Sequence, residues 1–313
     1  MATPGITKAG QAFPVRVGAG KRGLGAQREA HMLAFWLLLP ATVGLILFTF
    51  LPIIYAFWVS FHNYQLLTGA TTWLGLANYT RLAADPVFKQ SLWVATLYTA
   101  IMVVAQVVGG LGLALLVKEH VRGIGFFRTV YFLPVVASFV VMATVWKFLF
   151  AETGIFNTLL LTVGLPAQPF LKSADQALAS IAVLGFWKFV GFNMLVFLGG
   201  VQAIPPDLYE AAGMDGAGPI RRFFAVTLPL LKRVMLFVVV MTTIEAFKVF
   251  TPIYVMTSGG PQESTNAVVF LVFRTAFRYY EMGYAAAMSF TLLALVMVLM
   301  WAQFRFLRTD VEY

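Results

Sequence analysis

Charged side chains occur inside stretches of this sequence that are otherwise apolar. Lys188 lies in one stretch, with Phe192 one helical turn further along and Asn193 next to it. Glu245 lies in another such stretch, close to Lys248. A charge inside a lipid bilayer is costly unless it faces a cavity or a partner of opposite charge. These groups are therefore candidates for contact with a polar solute inside a membrane.

The spacing around Glu245 indicates that a stripe of residues follows one face of a helix. Its members recur at intervals of three or four residues, as Thr242, Glu245, Ala246 and Val249. Two interpretations remain open at this point. In the first, Glu245 and Lys188 line a pocket for the solute. In the second, they pair with each other and hold two helices together.

The composition is that of an integral membrane protein. Of 313 residues, 60% are hydrophobic and 11% are charged, whereas soluble domains carry about 25% charged residues. A stretch of about 20 apolar residues spans the roughly 30 Å of hydrocarbon in a bilayer. Six stretches are long enough, covering residues 33–59, 91–117, 126–150, 178–201, 230–256 and 283–306. Each is predicted to be a helix, because lipid offers no partner to backbone polar groups.

Proline and glycine residues inside these spans predict local features of the helices. Pro134 and Pro252 are expected to bend the third and fifth spans. In the second span, Gly109, Gly110 and Gly112 are expected to allow close packing against a neighbouring helix.

The composition also excludes several kinds of site. The chain has no cysteine and three scattered histidines, so no metal centre is predicted. The net charge of +9 arises beside apolar spans, where membrane topology explains it better than nucleic-acid binding. Residues 1–30 are predicted to form a basic, disordered cytoplasmic tail, residues 31–308 the membrane domain, and residues 309–313 a short cytoplasmic end.

The distribution of Lys and Arg predicts the orientation in the membrane. Fourteen of these residues fall in the N-terminal tail, the 118–128 and 202–233 loops and the C-terminus, and five fall in the connections on the opposite side. Cytoplasmic loops carry the excess of positive charge. Both termini and the 202–233 loop are therefore predicted to lie in the cytoplasm.

A polar segment, residues 205–229, interrupts the apolar chain between the fourth and fifth spans. Its two prolines favour the start of a short helix, and Asp215-Gly216 favours a turn before a second one. Leu208, Tyr209 and Met214 are predicted to be apolar anchors on this helix-turn-helix. Such a shape suits the groove of another protein.

This segment resembles the "EAA" loop of bacterial ABC-importer permeases. The matching residues include Glu210-Ala211-Ala212, Gly216 and Leu228-Pro229, and Val226 stands where Ile is usual. The resemblance implies an all-α, six-helix type I ABC importer permease fold. It also implies that the loop couples to an ATPase subunit, through Glu210, Ala211, Ala212, Asp215, Gly216 and Pro229.

Other motifs are similar to those of the carbohydrate branch, which includes maltose and glycerol-3-phosphate type permeases. They are Trp73 to Tyr79 and the run from Phe250 through Gly259-Gly260-Pro261 to Thr265. The resemblance implies a sugar or sugar-phosphate-like solute. It places the substrate path on the fourth and fifth spans, at Lys188, Phe189, Phe192, Asn193, Thr242, Glu245 and Val249. Ala246 and Val249 are apolar here, which departs from a maltose-like hydrogen-bonding pattern.

The resemblance also implies the partners of the chain. They are a second homologous permease forming a heterodimer, two ATP-binding subunits that hold ATP and Mg, and an extracytoplasmic substrate-binding protein. The chain itself is then neither an enzyme nor a cofactor protein, and it belongs in the bacterial cytoplasmic membrane. Two rival interpretations are a secondary transporter with Glu245 as proton carrier, which has no use for the 205–229 segment, and a structural membrane scaffold.

Overall fold

A computed structural model describes residues 24–65, 68–118 and 123–307, and it divides the chain into two compact units, Met1–Tyr55 and Ala56–Tyr313. The first unit contains helix α1 (Leu24–Leu45), a π-helical turn (Ile46–Phe50) and the start of α2 (Leu51–Val59). From residue 31 to residue 55 nearly all its apolar side chains are exposed, as expected of a helix that faces lipid. Helix α1 already begins at Leu24, inside the predicted tail, while residues 1–23 and 308–313 lie outside the described part.

Helical spans dominate the second unit, as the sequence predicts. Long single helices are α4 (Pro86–Leu116), α8 (Ala177–Gln202) and α14 (Met282–Leu307). With the first helix they give four spans, and two bent helix pairs bring the number to as many as six within the described residues. The predicted all-α class is therefore confirmed.

The first bent pair consists of α5 (Ile124–Val136) and α6 (Phe139–Leu149), which meet at an angle of 100°. Pro134 lies just before the break, as predicted for a residue that lacks an N–H group. The third predicted span is thus two helices that change direction at Ala137 and Ser138.

The second bent pair joins residues 219–230 to α12 (Lys232–Phe247) at 67°. The first part contains α10 (Pro219–Arg222), a π-helical turn (Phe223–Thr227) and α11 (Leu228–Leu230). After α12 the chain breaks again at residues 248–250 and resumes as a short helix that ends in a π-helical turn, Ile253–Thr257. The predicted span 230–256 is therefore not continuous, and Pro252 lies in the first turn after this break, where proline is tolerated.

Close packing holds α4 and α5 against α8. A Cβ atom on Gly110 would lie 3.0 Å from the Cβ of Asn193, and one on Gly109 would lie 2.5 Å from the ring of Phe186. Gly191 of α8 lies under the backbone of Tyr131 in α5, where a Cβ would collide with a carbonyl group. The prediction of close packing is confirmed for Gly109 and Gly110, which lie in the contact between α4 and α8.

Shorter elements complete the second unit. A two-stranded antiparallel hairpin, β1 (His62–Tyr64) and β2 (Thr71–Trp73), pairs His62 with Trp73, a feature that the sequence analysis missed. The short helices are α3 (Ala77–Ala84), α7 (Ile155–Thr162), α9 (Pro206–Met214) and α13 (Val268–Phe277).

Candidate functional site

A cavity of about 430 Å³ lies between α4, α8 and α12. Its size is within the range of about 300–1,000 Å³ that is common for small-molecule sites. Six residues of the predicted substrate path line it: Phe189, Phe192, Asn193, Thr242, Glu245 and Val249. The structure therefore brings the two predicted helix faces together around one space.

Two helix breaks border this cavity, the one between α5 and α6 and the one after α12. Val135 and Phe139 flank the break between α5 and α6, and the lining also includes the break after α12, residues 248–250, with Thr251 next to it. Broken helices expose backbone polar groups, and in membranes they are tolerated where the backbone is covered by protein or lines a cavity. The cavity thus lies where the bundle has its irregular backbone.

Helix α4 contributes a wall that the sequence analysis missed. Tyr98, Met102 and Gln106 line the cavity from this helix. Gln106 is fully buried, and its amide donates to the carbonyl oxygens of Gly185 and Phe186, both at 3.3 Å. A glutamine within an apolar span could have indicated this wall, because a buried amide requires hydrogen-bonding partners on neighbouring helices.

A hydrogen bond between two side-chain amides joins α8 to α4 beside the cavity. The side-chain N–H of Asn193 donates to the side-chain oxygen of Gln106 at 2.9 Å. Since Gln106 also holds the backbone of α8, this network sets the orientation of Asn193. Asn193 was predicted as a cavity residue, and its partner explains how it stays in place.

Lys188 does not line the cavity, in contrast to the prediction. It is 4% exposed, and its ammonium group donates to the carbonyl oxygens of Pro134, Val135 and Ala137 at 3.0, 3.3 and 2.7 Å. The break after α5 leaves these carbonyl groups without helical partners, and a cation at a helix C-terminus is favourable. Lys188 therefore acts as a cap on the broken helix beside the cavity.

The interpretation of Glu245 and Lys188 as an ion pair is wrong. Glu245 pairs with Lys248 three residues later at 2.7 Å, and both side chains are more than half exposed. Lys188 uses backbone oxygens, which sequence spacing does not reveal. Glu245 and Lys248 thus form a charged pair at the cavity lining, next to the break after α12.

A second lysine contacts the π-helical turn that follows the break after α12. Lys147 of α6 donates to the carbonyl oxygen of Val255 at 3.0 Å, in the π-helical turn that follows Pro252. The break that Lys188 caps is thereby linked, through α6, to the segment beyond α12. The hydrogen bond from Lys147 therefore joins the two broken helices to each other, and those from Lys188 join α8 to the first of them.

The 205–229 segment forms the predicted helix-turn-helix. Helix α9 ends at Met214, the chain turns at Asp215 and Gly216, and α10 begins at Pro219. Gly216 has φ of 72°, a left-handed conformation that favours glycine. Met214 and Ile220 are 86% and 75% exposed, so the segment presents apolar side chains outward.

The helix-turn-helix packs against the helical bundle through Tyr209. Tyr209 does not form part of the outward surface, because its hydroxyl lies 3.0 Å from that of Thr227 and its ring packs on the apolar cluster around Leu231. The Arg222 guanidinium donates to the carbonyl oxygen of Ala217 at 2.8 Å and closes the turn from inside. Tyr209 was predicted to be an anchor for a partner, and it anchors the segment to its own chain instead.

At the opposite end of α4, Asp85 caps the helix. Its carboxylate accepts from the N–H groups of Val87 and Phe88 and from the hydroxyl of Tyr284, at 2.8, 3.3 and 2.5 Å. Burial raises the pKa of Asp85, but the hydrogen bonds from Tyr284 and the backbone, with the charge of Arg81, outweigh it and hold the pKa below its usual value. The carboxylate is therefore ionised at neutral pH.

The chain forms an apolar helical bundle with a cavity that is lined partly by polar side chains, and a helix-turn-helix is exposed at its surface. This is the architecture of a membrane permease. The chain belongs to the family of binding-protein-dependent transport system inner membrane components, whose family model matches residues 106–309. The predicted family is therefore confirmed.

Curated relatives extend along nearly the whole chain. A trehalose/maltose transport system permease of Thermococcus litoralis is 34% identical over 87% of this chain and 91% of the relative. An sn-glycerol-3-phosphate transport system permease of Escherichia coli O157:H7 is 32% identical over 91% of this chain and 97% of the relative.

A solved structure shares the fold. A chain of a bacterial ABC transporter that imports the acidic polysaccharide alginate aligns with a TM-score of 0.80 at 20% identity. The alignment covers 92% of this chain and 99% of the other. The six-helix permease fold that the resemblance implies is therefore confirmed.

Proposed function

We propose that the chain moves a sugar or sugar-phosphate-like solute through the central cavity, driven by ATP hydrolysis in separate subunits. The observation that carries the proposal is the presence of two sites on one chain. One is a cavity bounded by broken helices, and the other is a rigid helix-turn-helix that presents Met214 and Ile220 outward. Relatives named for trehalose/maltose and glycerol 3-phosphate support the solute class.

The 205–229 segment is the coupling element in this proposal. Glu210, Ala211 and Asp215 are exposed on it, and the left-handed Gly216 sets the angle between its helices. Its inner side packs on an apolar cluster that α8 and α12 share, through Tyr209 and Phe223. A force on the exposed side is therefore passed to those two helices. Ala212 and Pro229 are half-buried, on the side of the segment that faces the bundle.

The cavity suits a solute with both hydroxyl groups and apolar faces. Phe189 and Phe192 supply aromatic surface, while Asn193, Thr242 and the Glu245–Lys248 pair supply hydrogen-bonding groups. Proton transport with Glu245 as carrier is disfavoured, because it leaves the exposed helix-turn-helix of residues 205–229 without a role. Family membership also favours the ATP-driven importer.

The proposed assembly has a second homologous permease, two ATP-binding subunits that carry ATP and Mg, and an extracytoplasmic substrate-binding protein. The name of the family supports the binding protein. Both termini and the 205–229 segment lie in the cytoplasm of a bacterial cell in this proposal, as the excess of Lys and Arg on that side indicates. This chain carries no catalytic role.

Purification of the chain with a candidate ATPase subunit tests the proposal. The assembled complex in lipid should hydrolyse ATP faster when a solute-loaded binding protein is added. Replacement of both Met214 and Ile220 by Ser should release the ATPase subunit without loss of the folded permease. Retention of the ATPase by this variant, or ATP hydrolysis indifferent to the binding protein, would contradict the proposed coupling.

A further inference from the structure

A second cavity, of about 740 Å³, lies where the β1–β2 hairpin, α3 and the start of α14 meet. We call it the outer recess and define it by its main lining residues: His62, Asn63, Ala77, Asn78, Arg81 and Tyr279 to Glu281. Among the described residues it shares no lining side chain with the central cavity.

The position of the outer recess follows from the order of the spans. Its walls come from the connections after the first and the fifth span, whereas residues 205–229 follow the fourth. In a six-span protein, connections after odd and after even spans emerge on opposite faces. The outer recess therefore faces away from the helix-turn-helix, on the side from which an importer receives its solute.

The recess has a preformed frame. Asn78 is 5% exposed, and its amide donates to the carbonyl oxygens of Ser60 and His62 at 2.8 and 3.1 Å. A Cβ atom on Gly283 would collide with the carbonyl oxygen of His62, so the start of α14 packs directly on the hairpin. These contacts join the three walls without filling the space between them.

The acidic and basic side chains of the recess lining form an ion pair. Arg81 pairs with Glu281 at 2.7 Å, and its guanidinium carbon lies 3.9 Å from the centre of the Tyr284 ring. These are the charged side chains of the lining, apart from the histidine. Each charge of this half-exposed pair already has a partner in the other, so the lining favours a neutral solute.

The remaining lining is rich in planar polar groups. Asn63 and Gln65 offer amides, and Tyr279 and Tyr280 are 60% and 42% exposed at the rim. Tyr280 has φ of 61°, an uncommon conformation for a bulky residue, and such strain clusters at ligand sites. Phenol rings present an apolar face and a hydroxyl together, which matches a molecule with alternating C–H and hydroxyl groups.

We propose that the outer recess is a binding subsite for a neutral, hydroxyl-rich solute, a sugar or a polyol, which occupies it before reaching the central cavity. This proposal rests on the proposed import function for the direction of movement. The binding itself is independent of that function, because it needs neither ATP nor the coupling segment.

Protection from alkylation tests the proposal. The chain has no native cysteine, so Ala77→Cys reports on the recess and Ala83→Cys, exposed on the same helix, is the matched control. The full chain with its co-purifying subunits, in lipid nanodiscs, is labelled with an impermeant maleimide. Maltose, trehalose or glycerol should slow labelling of Ala77→Cys about tenfold at ten times its Kd, with Ala83→Cys unaffected and sn-glycerol 3-phosphate inactive.

A variant that removes the negative charge of Glu281 tests whether the recess selects neutral solutes. Glu281→Gln removes the ion pair of Arg81 and makes the charge of the recess more positive, so protection by sn-glycerol 3-phosphate should appear and exceed that by the neutral probes. Three results would overturn the proposal: no protection by any neutral probe, protection of the unaltered recess by the phosphate ester alone, or equal protection by a sugar-free binding protein. ATPase stimulation on the same preparation reports separately on the proposed import function.

Discussion

The ammonium group of Lys188 lies 2.7 Å from the carbonyl oxygen of Ala137, at the break between α5 and α6. A buried cation is thus satisfied by backbone groups that the break itself has freed. The contact ties α8, which carries Phe189 and Asn193, to the bent helix that closes the cavity on the other side. Movement of α8 should therefore be transmitted to Phe139.

Lys188→Met should destabilise the permease, because several carbonyl groups lose their partner. An unsatisfied buried acceptor costs about 1–3 kcal/mol, and thermal unfolding in detergent should record the loss. The double variant with Glu245→Gln should be no more stable, since Glu245 pairs with Lys248. Recovery of stability in the double variant would contradict the assignment of Lys188 to the helix cap.

Glu245→Gln should affect solute binding more than folding. The pair with Lys248 is more than half exposed, so its loss should change the free energy of unfolding by at most about 1 kcal/mol. Its place in the cavity predicts a higher KM for transport. Glu152→Gln removes an exposed pair with Lys172 away from the cavity, and as a matched control it should leave KM unchanged; equal effects of the two variants would remove Glu245 from the site.

Gly216→Ala should weaken coupling through backbone strain. A Cβ atom there meets no neighbour within 4 Å, but φ of 72° is left-handed, which costs a side chain about 1–2 kcal/mol. Transport and binding-protein-stimulated ATPase activity should fall together while the amount of folded permease stays the same. Gly218→Ala, with φ of −68° and open space around it, is the control, and a similar loss in both variants would show that strain at Gly216 is not the cause.

The proposed topology predicts opposite labelling of two exposed positions. Ser258→Cys should react with an impermeant reagent from outside intact cells, and Gly218→Cys only after permeabilisation. Ser258 is preferable to its neighbour Gly259, which is buried against Phe270. The reverse pattern would place the helix-turn-helix outside and exclude ATPase coupling.

The cap of α4 predicts a stability change in acid. The pKa of Asp85 is lowered from 3.8 in the folded chain, so its contribution is complete above about pH 4 and is lost as pH falls through the lowered pKa. Tyr284→Phe removes one of the hydrogen bonds responsible. The melting temperature of this variant should decline less between neutral and acid pH than that of the parent, and an identical decline in both would contradict the role of Tyr284.

Much of the architecture was visible in the sequence because apolar length and turn chemistry are local properties. The helix-turn-helix followed from Gly216 and the prolines, and the α12 wall of the cavity from the periodicity around Glu245, whereas the family resemblance indicated the α8 wall. The partner of Lys188 could not be predicted, since backbone oxygens at a break leave no mark in residue spacing. The α4 wall was missed because the partners of Gln106 lie about eighty positions away in the sequence.

Uptake into sealed proteoliposomes that contain this chain with its partner subunits tests the central claim most directly. ATP enclosed with the ATPase domains, together with a solute-loaded binding protein on the other side, should drive accumulation of labelled solute without any ion gradient. A proton ionophore should leave that accumulation unchanged. Accumulation that requires a proton gradient and proceeds without ATP would contradict the account.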